Sequence, residues 1–181
     1  GLPLPSTIVE LHDTETGDLV TKPHHRGEIW VKGPQVMKGY WNRPDETENV
    51  MMGHFLKTGD VAEYDEDGYI FIVDRIKDLI LVNGYNVYPR IIEEALYQHP
   101  SIEECVVAGV TDPERGEVPK AWIKLKSDRT LSEGDLKSFL KDKISPIEMP
   151  RRFEFRNDPL PKTLIGKLSK KDLLAQEKTG S

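Results

Sequence analysis

Cysteine is almost missing from this chain. Cys105, in the run ECVVAGV, is the only one among 181 residues, which excludes an internal disulfide and a thiolate-rich metal site. Its apolar, strand-like surroundings mark it as a small core residue rather than a nucleophile. Long hydrophobic stretches are missing too. A run such as IFIV, Ile70 to Val73, is far short of the roughly 20 residues a membrane-spanning helix needs. The opening GLPLPSTIVELHD has neither the basic region nor the apolar core of a secretory signal. It also lacks a starting methionine, so the expectation is a piece excised from something longer. Basic excess is absent: the net charge is −6 and the pI about 5.4, the wrong sign for a protein that neutralises nucleic-acid phosphates. His12, His24, His25, His54 and His99 show no metal-ligand spacing with carboxylates, so no bound metal is expected. The His24–His25 pair lies in the polar stretch TKPHHRG and is read as solvent-exposed.

Two compositional regions follow one another. TIVEL and GEIWVKG alternate apolar and polar residues, the period of a half-buried strand. VAEYDEDGYIFIVD places Asp67-Gly68 between two strand-like runs, a hairpin signal with positive φ allowed at both turn positions. GYWNRPDETENVMMGHF reads as a connection with a short helix from Asp45. The character changes near Asp74, at the polar VDRIKD. Beyond it, ILVNGYNV reads strand, glycine turn, strand. Pro89 then suits the first turn of a helix, whose apolar face is Ile91, Ile92, Ala95 and Leu96. ECVVAGV and PKAWIKLK read as partnered strands, Ser132 as the cap of a second helix, RRFEFR as a strand, and Ser169 as the cap of a last helix. The basic residues Lys162, Lys167, Lys170 and Lys171 cluster near the end. On composition alone they are a solvated helix face.

Three motifs occur in order: GYWNRPDET (Gly39 to Thr47), LKTGD with GYIFIVDRIKDLILVNGYNVYP (Leu56 to Pro89), and LPKTLIGK (Leu160 to Lys167). Together they resemble the C-terminal part of the adenylate-forming superfamily, which includes acyl-CoA synthetases, peptide-synthetase adenylation domains and luciferases. DRIKDLILVNGYNVYPR and VVAGVTDPERGEVPKAWI are most similar to bacterial fatty-acyl-CoA ligases, and the resemblance covers essentially the whole chain. It implies an α+β architecture: residues 1–74 as the terminal, distorted-barrel β subdomain of the large adenylation domain, 75–77 as a hinge, and 78–181 as a mobile α/β C-terminal domain.

It also implies a two-step reaction. A carboxylate attacks the α-phosphate of ATP, with magnesium accompanying the nucleotide, to give an acyl-adenylate and pyrophosphate; the coenzyme A thiol then displaces AMP. Carried over by motif, Asp60 of TGD is expected to accept hydrogen bonds from the ribose hydroxyls, as an ionised carboxylate can. Arg75 is expected near ribose and phosphate, where a permanently charged planar fork fits. Without the resemblance, Arg75 reads as a surface ion pair with Asp74 or Asp78. Lys77 matches the hinge position. Gly84 matches the glycine beside which the pantetheine arm of CoA passes. Lys167 matches the lysine that meets the negative charge between attacking carboxylate and α-phosphate, held in a short segment containing Pro161, Thr163 and Gly166.

The superfamily's Ser/Thr/Gly-rich phosphate loop and its Thr-Glu motif are not in this sequence. The implied partners are therefore an N-terminal adenylation domain, a fatty acid, ATP and CoA, and the chain alone is expected to be inactive. The expected location is cytoplasmic, with peripheral membrane association as a variant. The alternatives are an aryl- or other acyl-CoA ligase and a non-catalytic binding module of the same fold. A peptide-synthetase adenylation domain would be followed by a carrier domain, of which AQEKTGS shows no sign.

Overall fold

The structure is a computed structural model in which residues 1–179 are described. The chain divides into two compact units, Gly1–Lys77 and from Asp78 onward.

The first unit is an antiparallel sheet. Its strands are β1 (Ile8–His12), β2 (Gly27–Lys32), the two-residue β3 (Met51–Met52), β4 (Phe55–Tyr64) and β5 (Ile70–Arg75), with the short helix α1 (Pro44–Val50) before β3. The order is β1-β2-β4-β3, and β5 also pairs with β4. Alternation in TIVEL and GEIWVKG buries Leu11 and Ile29, which pack with Ala62, as a period of two requires. Helix α1 begins at Pro44, where a missing N–H removes nothing the helix uses, and its first turn carries Asp45 and Glu46, which suit the dipole.

The β4–β5 hairpin corrects the sequence reading in one respect. Only Gly68 of the Asp67-Gly68 pair has positive φ, at 80°. Asp65 and Tyr69 close the loop (N–H to C=O, 3.1 Å), and Gly68 N–H donates to the Asp65 carbonyl at 3.0 Å. This is a three-residue loop with one left-handed glycine rather than a two-residue turn with two. The Asp65 carboxylate selects it by accepting from the N–H groups of Asp67 (3.1 Å) and Tyr69 (2.8 Å).

The second unit contains β6 (Ile80–Val82), β7 (Tyr85–Val87), α2 (Pro89–Tyr97), β8 (Ile102–Asp112), β9 (Gly116–Leu125), α3 (Glu133–Leu140), β10 (Arg152–Arg156) and α4 (Lys170–Thr179). Its sheet runs β10-β9-β6-β7, with β8 also on β9; β10 is parallel to β9 and the other pairs are antiparallel. Both faces of β8 and β9 are covered, hence the nearly unbroken apolar run in ECVVAGV. Cys105, Val107, Ala121 and Ile123 pack with Ile92 and Leu96 of α2 and Leu136 and Leu140 of α3. Val106, Ala108, Val110, Val118 and Trp122 pack with Leu160 and with Leu173 of α4. Ser132 caps α3, its hydroxyl oxygen accepting from Asp135 N–H at 3.1 Å. Ser169 does the same for α4 through Asp172 N–H at 3.3 Å.

Candidate functional site: a bulged carboxylate, a glycine turn and a lysine hairpin

The TGD residues Thr58, Gly59 and Asp60 lie inside β4, but not in its ladder with β2. Glu28 pairs with Val61 and Trp30 with Lys57, so three residues of β4 face the single Ile29. Such a bulge bends the strand and frees backbone groups that need other partners. Gly59 is left-handed, with φ 73°. Its N–H donates to Glu28 Oε1 at 3.0 Å. The Thr58 hydroxyl donates to the Ile29 carbonyl at 3.0 Å and accepts from Asp60 N–H at 3.1 Å. Glu28 Oε2 accepts from the Trp30 indole N–H at 3.0 Å, and the Trp30 ring stacks on His12 with centroids 3.8 Å apart.

Across the other ladder, Asp60 lies opposite Arg75. Arg75 Nε donates to Asp60 Oδ1 at 3.2 Å. Arg75 N–H is held by Asp74 Oδ1 at 2.8 Å, which turns a potential ion-pair partner into a backbone anchor. The fold therefore brings together two of the residues singled out in the sequence, in a pairing other than Arg75 with Asp74 or Asp78. The Arg75 side chain stays 59% exposed, so the contact adds little stability. Chemically, it presents an acceptor and a cationic fork side by side.

Lys77 sits in the single 3-10 turn Ile76–Asp78, where the two units divide. Gly84 and Asn83 form the turn between β6 and β7, with φ 84° and 51°. A Cβ added at Gly84 would meet nothing within 4 Å. Within this chain the glycine is required by its dihedral, not by crowding.

Lys167 lies in a hairpin built like the Asp65–Tyr69 loop. Thr163 N–H donates to the Lys167 carbonyl at 2.7 Å, and Gly166 N–H to the Thr163 carbonyl at 2.9 Å. Gly166 is left-handed at φ 79°, and Thr163 Oγ1 accepts from Lys167 N–H at 3.2 Å. Thr163 thus plays the part Asp65 plays in the other loop. Leu164 and Ile165 project from the tip, 107% and 78% exposed. The stem is fastened by Glu104 of β8: Oε2 accepts from Leu160 N–H at 3.1 Å, and Oε1 pairs with Lys162 Nζ at 2.5 Å. The Lys162 hydrogen bond holds the Glu104 carboxyl below the usual carboxylate range, against the opposing effect of burial. Gly84 and Lys167 occupy separate loops of the second unit.

Glu28, Thr58 and Glu104 were not singled out from the sequence. Glu28 and Trp30 do share one strand face by the period of two, the only trace of their contact. A further buried group is Lys120 on β9, bracketed by Glu154 at 2.7 Å and Glu177 at 2.5 Å and lying 4.9 Å from the Trp122 ring centroid. No helix among the described residues is long and apolar enough to cross a membrane.

The AMP-binding enzyme C-terminal domain family matches residues 91–167, and the AMP-binding enzyme family matches residues 1–41. The chain is 48% identical over 177 residues to a long-chain-fatty-acid–CoA ligase of Bacillus subtilis, covering 98% of this chain and 31% of that protein. It is 41% identical over 151 residues to a 2-succinylbenzoate–CoA ligase of Geobacillus kaustophilus, covering 83% of this chain and 31% of that protein. Among solved structures it is similar to the o-succinylbenzoate CoA synthetase of Bacillus subtilis in complex with its acyl-adenylate intermediate. The TM-score is 0.84 at 35% identity, covering 94% of this chain and 34% of that one. The chain spans about a third of the length of these relatives. With both of its parts matched, the chain belongs to the AMP-binding, adenylate-forming enzyme family, carrying that family's C-terminal domain.

Proposed function

We propose that this chain is the C-terminal part of an ATP-dependent fatty-acyl-CoA ligase. The observation that carries the reading is the outward-facing Asp60–Arg75 pair on a built bulge. A carboxylate beside a guanidinium matches a ribose diol beside a phosphate. In the first half-reaction a fatty-acid carboxylate oxygen bonds to the α-phosphorus of ATP while the bond to the β-phosphate oxygen breaks, releasing pyrophosphate. Lys167 supplies positive charge between the attacking carboxylate and the α-phosphate, where negative charge concentrates. In the second, the CoA thiol gives up its proton to solvent, its sulfur bonds to the acyl carbon, and AMP leaves with the electron pair of the broken C–O bond.

Lys77 serves as the hinge between the two units, with residues 75–77 as the few that absorb the dihedral change. Gly84 serves as the smooth edge along which pantetheine passes. Magnesium would accompany ATP. Among the described residues no group of three His, Cys, Asp or Glu side chains could hold a metal.

A second reading, an aryl-acid–CoA ligase, is supported by the similarity to 2-succinylbenzoate–CoA ligase. The test is ATP–pyrophosphate exchange by the full-length ligase with C8–C18 fatty acids and with aryl acids. The proposal expects exchange that depends on the fatty acid, then AMP release and acyl-CoA formation when CoA is added. Exchange with aryl acids alone would replace the first reading by the second. The 181-residue chain by itself is expected to give no exchange above background.

A further inference from the structure

We infer that Glu28 is a positioning residue for Asp60, acting through the Gly59 backbone; the inference rests on the nucleotide-binding role proposed for Asp60. The bulge leaves Thr58, Gly59 and Asp60 without ladder partners on β2. A Cβ added at Gly59 would meet nothing within 4 Å, so the glycine answers to its left-handed dihedral and not to crowding. Side-chain tethers hold the bulge. Thr58 holds the Asp60 N–H from within the bulge. Glu28 alone reaches across from the neighbouring strand to the Gly59 N–H. An ionised carboxylate accepting a backbone N–H makes one of the stronger hydrogen bonds available.

The geometry of Glu28 is itself fixed. Its second oxygen is occupied by the Trp30 indole N–H, and Trp30 is held flat against His12. A line of contacts runs from His12 through Trp30 and Glu28 to Gly59, and the next residue carries the carboxylate facing Arg75. Both Glu28 oxygens are taken up within the first unit, one by the Gly59 N–H and one by the Trp30 indole N–H. Glu28 fixes where the Asp60 oxygens stand, and a displaced acceptor weakens a bidentate contact with two hydroxyls. The competing view is that Glu28 only satisfies the buried side of Trp30.

The experiment uses the full-length ligase with variants Glu28→Ala, Glu28→Gln, Trp30→Phe and Asp60→Ala. It measures KM for ATP and kcat in pyrophosphate exchange, together with amide hydrogen exchange at Gly59. Glu28→Ala is expected to raise KM for ATP roughly ten- to hundredfold, with a smaller effect on kcat, the scale of one lost charge-assisted hydrogen bond. Glu28→Gln, which keeps a carbonyl acceptor, should recover most of that loss. Trp30→Phe should raise KM by no more than about threefold, since the Gly59 tether survives. Gly59 exchange should quicken in Glu28→Ala and not in Trp30→Phe.

Equal effects of Glu28→Ala and Trp30→Phe would overturn the inference in favour of a packing role. So would unchanged Gly59 exchange in Glu28→Ala. Should Glu28→Ala fail to fold, the contrast between Glu28→Gln and Trp30→Phe decides on the same two readouts. If Asp60→Ala leaves KM for ATP unchanged, the nucleotide role of Asp60 falls, and the inference with it, whatever Gly59 does. If Asp60→Ala raises KM and Glu28→Ala does not, the inference alone falls.

Discussion

Replacing Glu104 by alanine isolates the support beneath the lysine hairpin. Two contacts disappear. The Leu160 N–H loses its acceptor in a segment where Leu160 is 2% exposed, and a buried unsatisfied donor costs about 1–3 kcal/mol. The Lys162 pair is more open, with the lysine side chain 45% exposed, and adds about 0.2–1 kcal/mol. The expected loss is therefore about 1–4 kcal/mol, most of it from the backbone donor. Lys162→Ala should cost less than about 1 kcal/mol. Trp122 is the only tryptophan after Asp78, so urea unfolding of the chain with Trp30 and Trp41 changed to phenylalanine reports on the second unit through its fluorescence.

The pH dependence has a definite sign. The folded Glu104 carboxyl lies below its ordinary value, chiefly through the Lys162 hydrogen bond. Its contribution is complete above the unfolded carboxylate range, about pH 4.3, and is lost as pH falls through the lower folded value. Glu104→Gln should flatten that part of the acid limb. A Glu104→Ala variant destabilised by under about 0.5 kcal/mol, with an unchanged acid limb, would refute the reasoning, because a buried donor cannot lose its acceptor that cheaply.

Three further outcomes are expected. Lys120→Ala removes the cation between the Glu154 and Glu177 carboxylates, which keep only more exposed arginine partners, and should cost up to about 3 kcal/mol, measured by the same unfolding. Glu154 keeps Arg156 at 2.6 Å, so Glu154→Gln together with Lys120→Met should recover part of it. Gly84→Ala places a Cβ at φ 84° and should destabilise the second unit by roughly 1–2 kcal/mol through dihedral strain. In the full-length ligase it should slow thioester formation more than pyrophosphate exchange, and the reverse order would contradict the pantetheine role. The Cys105 thiol is pushed up to about 12, mainly by burial and then by the negative charge of Glu93. A disulfide reagent at pH 8 should leave it unmodified until the second unit unfolds, as stopped-time labelling with mass analysis would show.

What was legible in the sequence was whatever a local pattern fixes. The glycine turn read between two short apolar runs is present, with Asn83 and Gly84 both left-handed. Pro89, Ser132 and the alternating strands behave likewise. Asp67-Gly68 read as a two-residue turn and went another way, because the Asp65 carboxylate three residues before the glycine favours the longer loop. The partner of Arg75 could not be read locally. Asp60 lies opposite it only because β4 bulges against β2 and β5 slips against β4, between Val61 and Ala62. Glu28 and Glu104 act on backbone N–H groups 31 and 56 residues away. Nothing in the spacing of a chain encodes such contacts. Lys120 is buried with its partners supplied by β10 and α4, and a lysine in a strand pattern gives no notice of that.

Lys167 is proposed as the charge delivered to the carboxylate and α-phosphate. Its most direct test is fatty-acid-dependent ATP–pyrophosphate exchange by the full-length ligase, with Lys167→Ala against the unaltered enzyme and folding checked by circular dichroism. The expected result is a fall of about 10²- to 10³-fold, the cost of removing one preorganised charge from a transition state. Exchange within a few-fold of the unaltered enzyme would contradict the claim and leave Lys167 as the cation of a surface hairpin.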